Sequence, residues 1–392
     1  MTIDSPEARL LLCCARSRRD PEQSARIEAL LQERIDWDYL LRIARNHRIM
    51  PLLSWQLNAI SSESIANGVL DKLRTYSHNN GLRNLYLTGE LFRILRTFET
   101  HGIAVVPYKG PVLAAYAYGN LALREFDDLD FLVRRQDILR AGELLAAFGY
   151  LLGYRLTRAQ EAAFIRYADQ YFYVRDRDRS VVELHWGFAS RALSFLLSTE
   201  RQWWRFERVS LGGGDVLTFS SEDLLLILCV HGSMHRWERL QWVCDIAELI
   251  NAHRELDWGR LMEKATAMGC RRALLLGILL ANELLGVTIP EKAARGLQAD
   301  PVAKTLAGQV IEWLFREDAD SQGLFEESLF QPFHIKVLER LQDKVRYCAR
   351  QVTVPSMEEY DSLPLPAYLF PAYRLLRPVR LAGKYVRKSL SS

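Results

Sequence analysis

Two aspartates one residue apart, Asp128 and Asp130, open an apolar run, Phe131 to Val133. On a strand, alternate residues point the same way. The two carboxylates would therefore project from one sheet face while Leu129 packs on the other. Carboxylates held that close repel each other, and one pKa rises unless a cation lies between them. The economical reason to build such a pair is a hard divalent cation with oxygen ligands, Mg²⁺ (or Mn²⁺). A lone D-x-D is more often a solvated strand entry. Three neighbours favour a phosphate-handling site instead: Lys109-Gly110 at a strand-to-helix turn, Arg124 four residues before Asp128, and a third carboxylate, Glu183, on a later apolar run.

Each of these residue types has a role in such chemistry. Gly110 lets backbone approach a phosphate closely, and the N-terminus of the Pro111 to Tyr118 helix would point its dipole there. Lys109 and Arg124 are candidate phosphate counter-charges, although Arg124 could equally hold Asp127 or Asp128 in an ion pair. By strand alternation Glu183 and His185 share a side, so His185 is a candidate cleft lining. His231 and His235 stand at i, i+4 on one helix face. Gly232 replaces the glutamate of a zinc H-E-x-x-H, and no third ligand is evident, so zinc is not expected.

The three segments K-G-x-x-L-x-x-x-x-Y (109–118), R-x-x-x-D-x-D-x-L-V (124–133) and V-E-L-H-W (182–186) together resemble the uncharacterised nucleotidyltransferase family, within the polymerase-beta-like superfamily. The resemblance covers about residues 85 to 285. It implies that Asp128, Asp130 and Glu183 are the catalytic, metal-binding acids and that Lys109-Gly110 takes the place of the glycine turn. Lysine here replaces the usual small residue, and the stretch from Gly110 to Asp128 is longer than in the commonest superfamily members. The segment H-G-S-M-H-R-W-E-R-L-Q-W-V-C-D (231–245) resembles the helical half of the family. In that reading His231, His235, Arg236 and Asp245 line the cleft opposite the metals. The implied reaction is Mg²⁺-dependent transfer of a nucleoside monophosphate from an NTP to a hydroxyl or phosphate of an unknown acceptor. Two alternatives stay open: a non-catalytic nucleotide- or partner-binding module with the same fold, and a transferase that modifies a peptide or natural product from a diphosphate-containing donor.

Composition bounds the rest. The 392 residues are 49% hydrophobic and 25% charged, with a net charge of +3, ordinary for a globular chain and without a global pull toward nucleic acid. The six cysteines have no C-x-x-C and no framework spacing, and Cys229, Cys244 and Cys270, in apolar helical contexts, are expected to be reduced core thiols. No apolar stretch is long enough for a transmembrane helix, and the Leu10 to Cys14 run is too short for a signal segment. A cytoplasmic enzyme is expected.

The element pattern predicts an α+β fold: a small mixed sheet of about four to six strands, with helices on one face and helical regions on either side. Residues 1–84 read as helical, 85–219 as the α/β core, 220–350 as a C-terminal helical domain, and 351–392 as a basic, aromatic, proline-containing tail. Asn84 to Thr100 is an amphipathic helix. Thr157 and Gln160 form a capping box. Strands 170–175 and 180–186 form a hairpin, and Ser220 caps an apolar helix. In the tail, Pro364, Pro366, Pro371 and Pro378 are expected to break any long helix. The tail is read as a surface wrap, with contact to anionic lipid or nucleic acid as the alternative.

Overall fold

The computed structural model describes residues 3–60, 65–154, 156, 157, 160, 161, 164, 165, 168–187, 204–316, 329–355, 359, 365 and 367–390. Four short helices lead in: α1 (Pro6–Cys14), α2 (Pro21–Leu30), α3 (Trp37–Asn46) and α4 (Met50–Leu57). Ser5, Asp20 and Asp36 cap the first three through their side-chain oxygens, satisfying amide groups that the helix itself leaves unpaired. Then comes α5 (Val69–Thr100), which is longer than the amphipathic pattern from Asn84 indicates. Its polar first half is held by side-chain contacts: the Asn80 amide donates to the Ala122 carbonyl, and the Asn84 amide to those of Leu121 and Arg124.

The core follows as β1 (Val105–Pro107), α6 (Gly110–Tyr118), β2 (Asp128–Val133), α7 (Ile138–Ala147), β3 (Tyr150–Leu152), β4 (Gln170–Arg175), β5 (Ser180–His185), β6 (Phe206–Ser210) and β7 (Asp215–Phe219). Among the described residues, five strands form a mixed sheet in the order β1-β2-β5-β4-β3, and β6-β7 is a separate hairpin. β2 runs parallel to β5, with Asp130 beside Glu183, while the other pairs are antiparallel. The β4-β5 turn is bolted by Arg175, buried and paired with both Glu90 and Asp178. Thr157 and Gln160 exchange the reciprocal bonds of a capping box.

Alternation along the strands divides the sheet. Leu129, Phe131 and Val133 of β2, with Val182 and Leu184 of β5, are buried against Leu91, Ile94 and Phe98 of α5 and against α7. Burying such side chains contributes roughly 1.5–3 kcal/mol each. That leaves Asp128, Asp130, Glu183 and His185 on the opposite face.

The helical half comprises α8 (Ser221–Met234), α9 (Leu240–Ala252), α10 (Trp258–Met268), α11 (Arg271–Leu285), α12 (Glu291–Gln298), α13 (Pro301–Leu314), α14 (Pro332–Val337) and α15 (Leu341–Thr353), followed by α16 (Tyr373–Leu390). It shares one hydrophobic core with the N-terminal helices, from Ala8 to Tyr347. The expectation that prolines break the tail is corrected at Pro378, which lies inside α16. Arg377 and Arg380, on either side of it, both pair with the carboxylate of Glu359 and hold the helix across the break in its hydrogen-bond ladder. Pro364 and Pro366 lie outside the described residues.

His47 ties these regions together. Its Nε2 donates to the Leu314 carbonyl at 2.9 Å, and its Nδ1 accepts from the Leu240 amide at 3.3 Å. Both nitrogens are used in one neutral tautomer, and protonation of Nδ1 would set two donors against each other. Burial, with help from Arg239, pushes its pKa down to about 4 despite the lift from the Leu314 carbonyl. A depressed histidine pKa stabilises fully above the unfolded value of about 6.5, and that stability is lost as pH falls toward the folded value. Relative to His47→Gln, the native chain is therefore expected to lose about 2–3 kcal/mol between neutral pH and pH of about 4.5. Denaturant unfolding of both proteins across this range is the check, and parallel pH profiles would exclude a neutral His47.

Candidate active site

The turn from β1 into α6 brings Lys109 to the mouth of the polar sheet face. Gly110 begins α6 with φ of +53°. A Cβ there would meet the Asp128 carbonyl at 3.1 Å, so the position requires glycine both for its backbone conformation and for the close approach to β2. Lys109 Nζ donates to Asp130 Oδ1 at 3.0 Å, and His185 Nε2 lies 3.1 Å from the same oxygen. His185 Nε2 is also 3.2 Å from Glu183 Oε2, and the Tyr108 ring packs edge-on against the imidazole. Asp130 Oδ2 is buried without a partner. An orphaned carboxylate oxygen is costly unless something charged or donating completes it.

The electrostatics follow from this crowding. Burial, then the charges of Asp130 and Glu183, raise the Asp128 pKa to about 7. Burial also opposes ionisation of Asp130, but Lys109 and His185 outweigh it and hold that carboxyl below its usual range. Burial likewise works against the charged forms of Lys109 and His185, and the surrounding carboxylates raise both pKa values.

A divalent cation fits these residues. Ligand atoms of Asp130, Glu183 and His185 lie within 4.8 Å of one another, a spread that one cation with ligands at about 2.0–2.6 Å can bridge. The open Oδ2 of Asp130 and a neighbouring Asp128 driven toward protonation are what a removable positive charge would relieve.

The cleft is a cavity of about 300 Å³, at the small end of ligand pockets. Lys109, Asp128, Glu183 and His185 line one side of it, and His231, His235 and Trp242 line another. The His231 and His235 rings lie 4.6 Å apart, and both pack on Trp242. Burial and the charge of Lys109 hold both histidines well below their usual pKa, so this wall is neutral at ordinary pH.

Arg124 touches the cleft, but its guanidinium is committed elsewhere. It pairs in bidentate fashion with Asp245, Nε to Oδ1 at 2.7 Å and Nη2 to Oδ2 at 2.8 Å, and the Tyr118 hydroxyl donates to the same carboxylate. Asp245 is buried beneath Arg124 and does not line the cleft. Arg236, expected on the same wall, turns away to pair with Glu238 and Gln331. Residues 236 and 237 both adopt positive φ, and that tight turn carries the Arg236 side chain off the cleft.

Sequence reasoning did not single out Arg48, Glu125, Arg239, Gln241 or Trp242, all of which line the cleft. Arg48 has φ of +56° and pairs with Asp127 at 2.8 Å. Arg239 makes no side-chain ion pair or hydrogen bond among the described residues; burial and the neighbouring Arg48 charge hold its guanidinium below the usual value. Glu125 is half-buried, with a pKa raised to about 7 chiefly by burial. Arg239, Gln241 and Trp242 lie within the segment 231–245 and Glu125 within 124–133, so a local signal existed for these. Arg48 reaches the cleft by tertiary packing.

The chain matches the family described as uncharacterised nucleotidyltransferase over residues 33–286, well over half its length. No curated protein and no solved structure gives a significant match. The chain belongs to the uncharacterised nucleotidyltransferase family.

Proposed function

We propose that this member of the nucleotidyltransferase family moves a nucleoside monophosphate from an NTP to an oxygen of an acceptor, with Asp128, Asp130 and Glu183 as the acidic centre. The observation that carries the reading is the buried Asp130, flanked by Glu183 and His185 and left with one oxygen unpartnered. Asp128, Asp130 and Glu183, with His185 beside them, would hold a divalent cation, Mg²⁺ or Mn²⁺. Bound there, the cation would supply charge neutralisation at the reacting phosphate.

The protein's own residues then divide the work. Asp130 keeps its charge because Lys109 and His185 support it. Lys109, already at the mouth of the site, is the cation nearest to incoming phosphates. Arg239, and Arg48 with its Asp127 partner, add two neighbouring guanidiniums to the cleft lining, and a polyanion beside them would relieve their repulsion. Glu183 has a side chain 24% exposed where Asp130 is buried, and so can reach the acceptor. It takes the acceptor hydroxyl proton as the new oxygen–phosphorus bond forms and the bond to pyrophosphate breaks. His185, in contact with both Glu183 and Asp130, orients the two carboxylates. The neutral His231, His235 and Trp242 wall offers a surface for the uncharged part of a substrate.

A cytoplasmic setting fits the six unpaired cysteines, and no helix among the described residues is long and apolar enough to cross a membrane. Pyrophosphate release from individual NTPs, in the presence of Mg²⁺ or Mn²⁺ and a panel of hydroxyl and phosphate acceptors, tests the reading. Cation-dependent release supports it. NTP binding without release across the panel would favour a binding module instead.

A further inference from the structure

Helix α16 packs one side on the protein and leaves apolar side chains on the other. Its anchored side combines polar and apolar contacts: Arg377 and Arg380 hold Glu359, the Arg377 Nε donates to the Gln351 carbonyl at 2.9 Å, the hydroxyl of buried Tyr373 accepts from the Leu365 amide at 2.9 Å, and Tyr373 and Leu376 pack on the sheet-side core. A further apolar stripe faces out. Leu375 is 75% exposed and Val379 71%, and Ala382 is exposed with them. These positions, i, i+4 and i+7, form one stripe. A stripe turned away from the core gains nothing from folding, so it calls for something outside the chain to cover it.

Charge identifies the cover. From residue 362 to the end the sequence carries six basic residues and no acidic one; Arg377 and Arg380 hold Glu359, and the other four are Arg374, Lys384, Arg387 and Lys388. An exposed apolar stripe on a helix rich in arginine and lysine is the combination that settles into the interface of an anionic bilayer, apolar side chains among the acyl chains and cations among the phosphates. We infer that α16 docks this protein on an anionic membrane surface, lying in the interface without crossing it. The contact is distinct from the nucleotide cleft and does not depend on the reaction proposed for it.

Flotation of the full chain with vesicles of phosphatidylcholine alone, and with vesicles in which phosphatidylglycerol is mixed in, tests the inference. The protein is expected to float with the mixed vesicles, to remain behind with the neutral ones, and to bind less at high salt. Leu375→Glu/Val379→Glu is expected to lower partitioning at least about tenfold with an unchanged melting temperature, because both side chains point into solvent. Leu375→Gln is the milder second variant and should show a smaller loss. Absence of binding to the mixed vesicles, or equal binding by the variants, would overturn the inference. So would self-association of the native chain that the double variant abolishes without any vesicle binding, since a second copy would then be the cover.

Discussion

Glu183→Gln is expected to keep the fold and most NTP binding while turnover falls at least about 10²-fold, the lower end for a positioned acid–base group. The amide preserves the size of the side chain and can still accept from His185, whose Nε2 lies 3.2 Å from Glu183 Oε2. Asp128 and Asp130 remain to hold the donor side. What disappears is the negative charge that takes the acceptor proton, and with it an interaction made in the transition state more than in the ground state. Single-turnover kinetics beside equilibrium NTP binding separate the two effects. Turnover left intact would move the proton acceptor to another residue, and loss of the folded state would make Glu183 structural.

The second large effect is one of stability. Arg124→Ala is expected to destabilise the fold by about 3–5 kcal/mol, because it strands the Asp245 carboxylate in the interior with the Tyr118 hydroxyl as its remaining partner. The double change Arg124→Met/Asp245→Leu should recover most of that loss, since a buried pair replaced by apolar groups of similar size is often neutral. The two roles for Arg124 separate cleanly here. A phosphate ligand would lower NTP affinity on removal at little cost in stability. Denaturant unfolding of the single and double variants decides between them, and a single variant as stable as the native chain would refute the pairing as the structural bolt.

Sequence and structure part company where charge meets tertiary packing. The sheet was legible because its signals are local. The D-L-D-F-L-V alternation faces Leu129, Phe131 and Val133 toward α5, and the turn at Asp176 to Arg179 folds β4 onto β5. The parallel neighbour relation of Asp130 and Glu183 then follows from strand order. The partner of each cation was not legible. Nothing around Arg124 announces Asp245, 121 positions away, and nothing around Lys109 announces that it reaches Asp130. Arg48 and Arg239 come to the cleft because His47 knits the N-terminal helices to the start of α9, a contact with no sequence period. Pro378 misled for a different reason. Propensity disfavours it inside a helix, but the paired arginines around it supply the restraint that the missing hydrogen bond does not.

The central claim is that Asp128 and Asp130 make NTP binding depend on a divalent cation. Isothermal calorimetry of NTP binding, with and without Mg²⁺, on the native chain and on Asp128→Asn/Asp130→Asn measures it most directly. The asparagines keep the shape of the site and leave Lys109 an oxygen to bond, so the variant should remain folded. The account predicts cation-dependent binding in the native protein and loss of that dependence in the variant. Unchanged cation-dependent binding in the folded variant would contradict it.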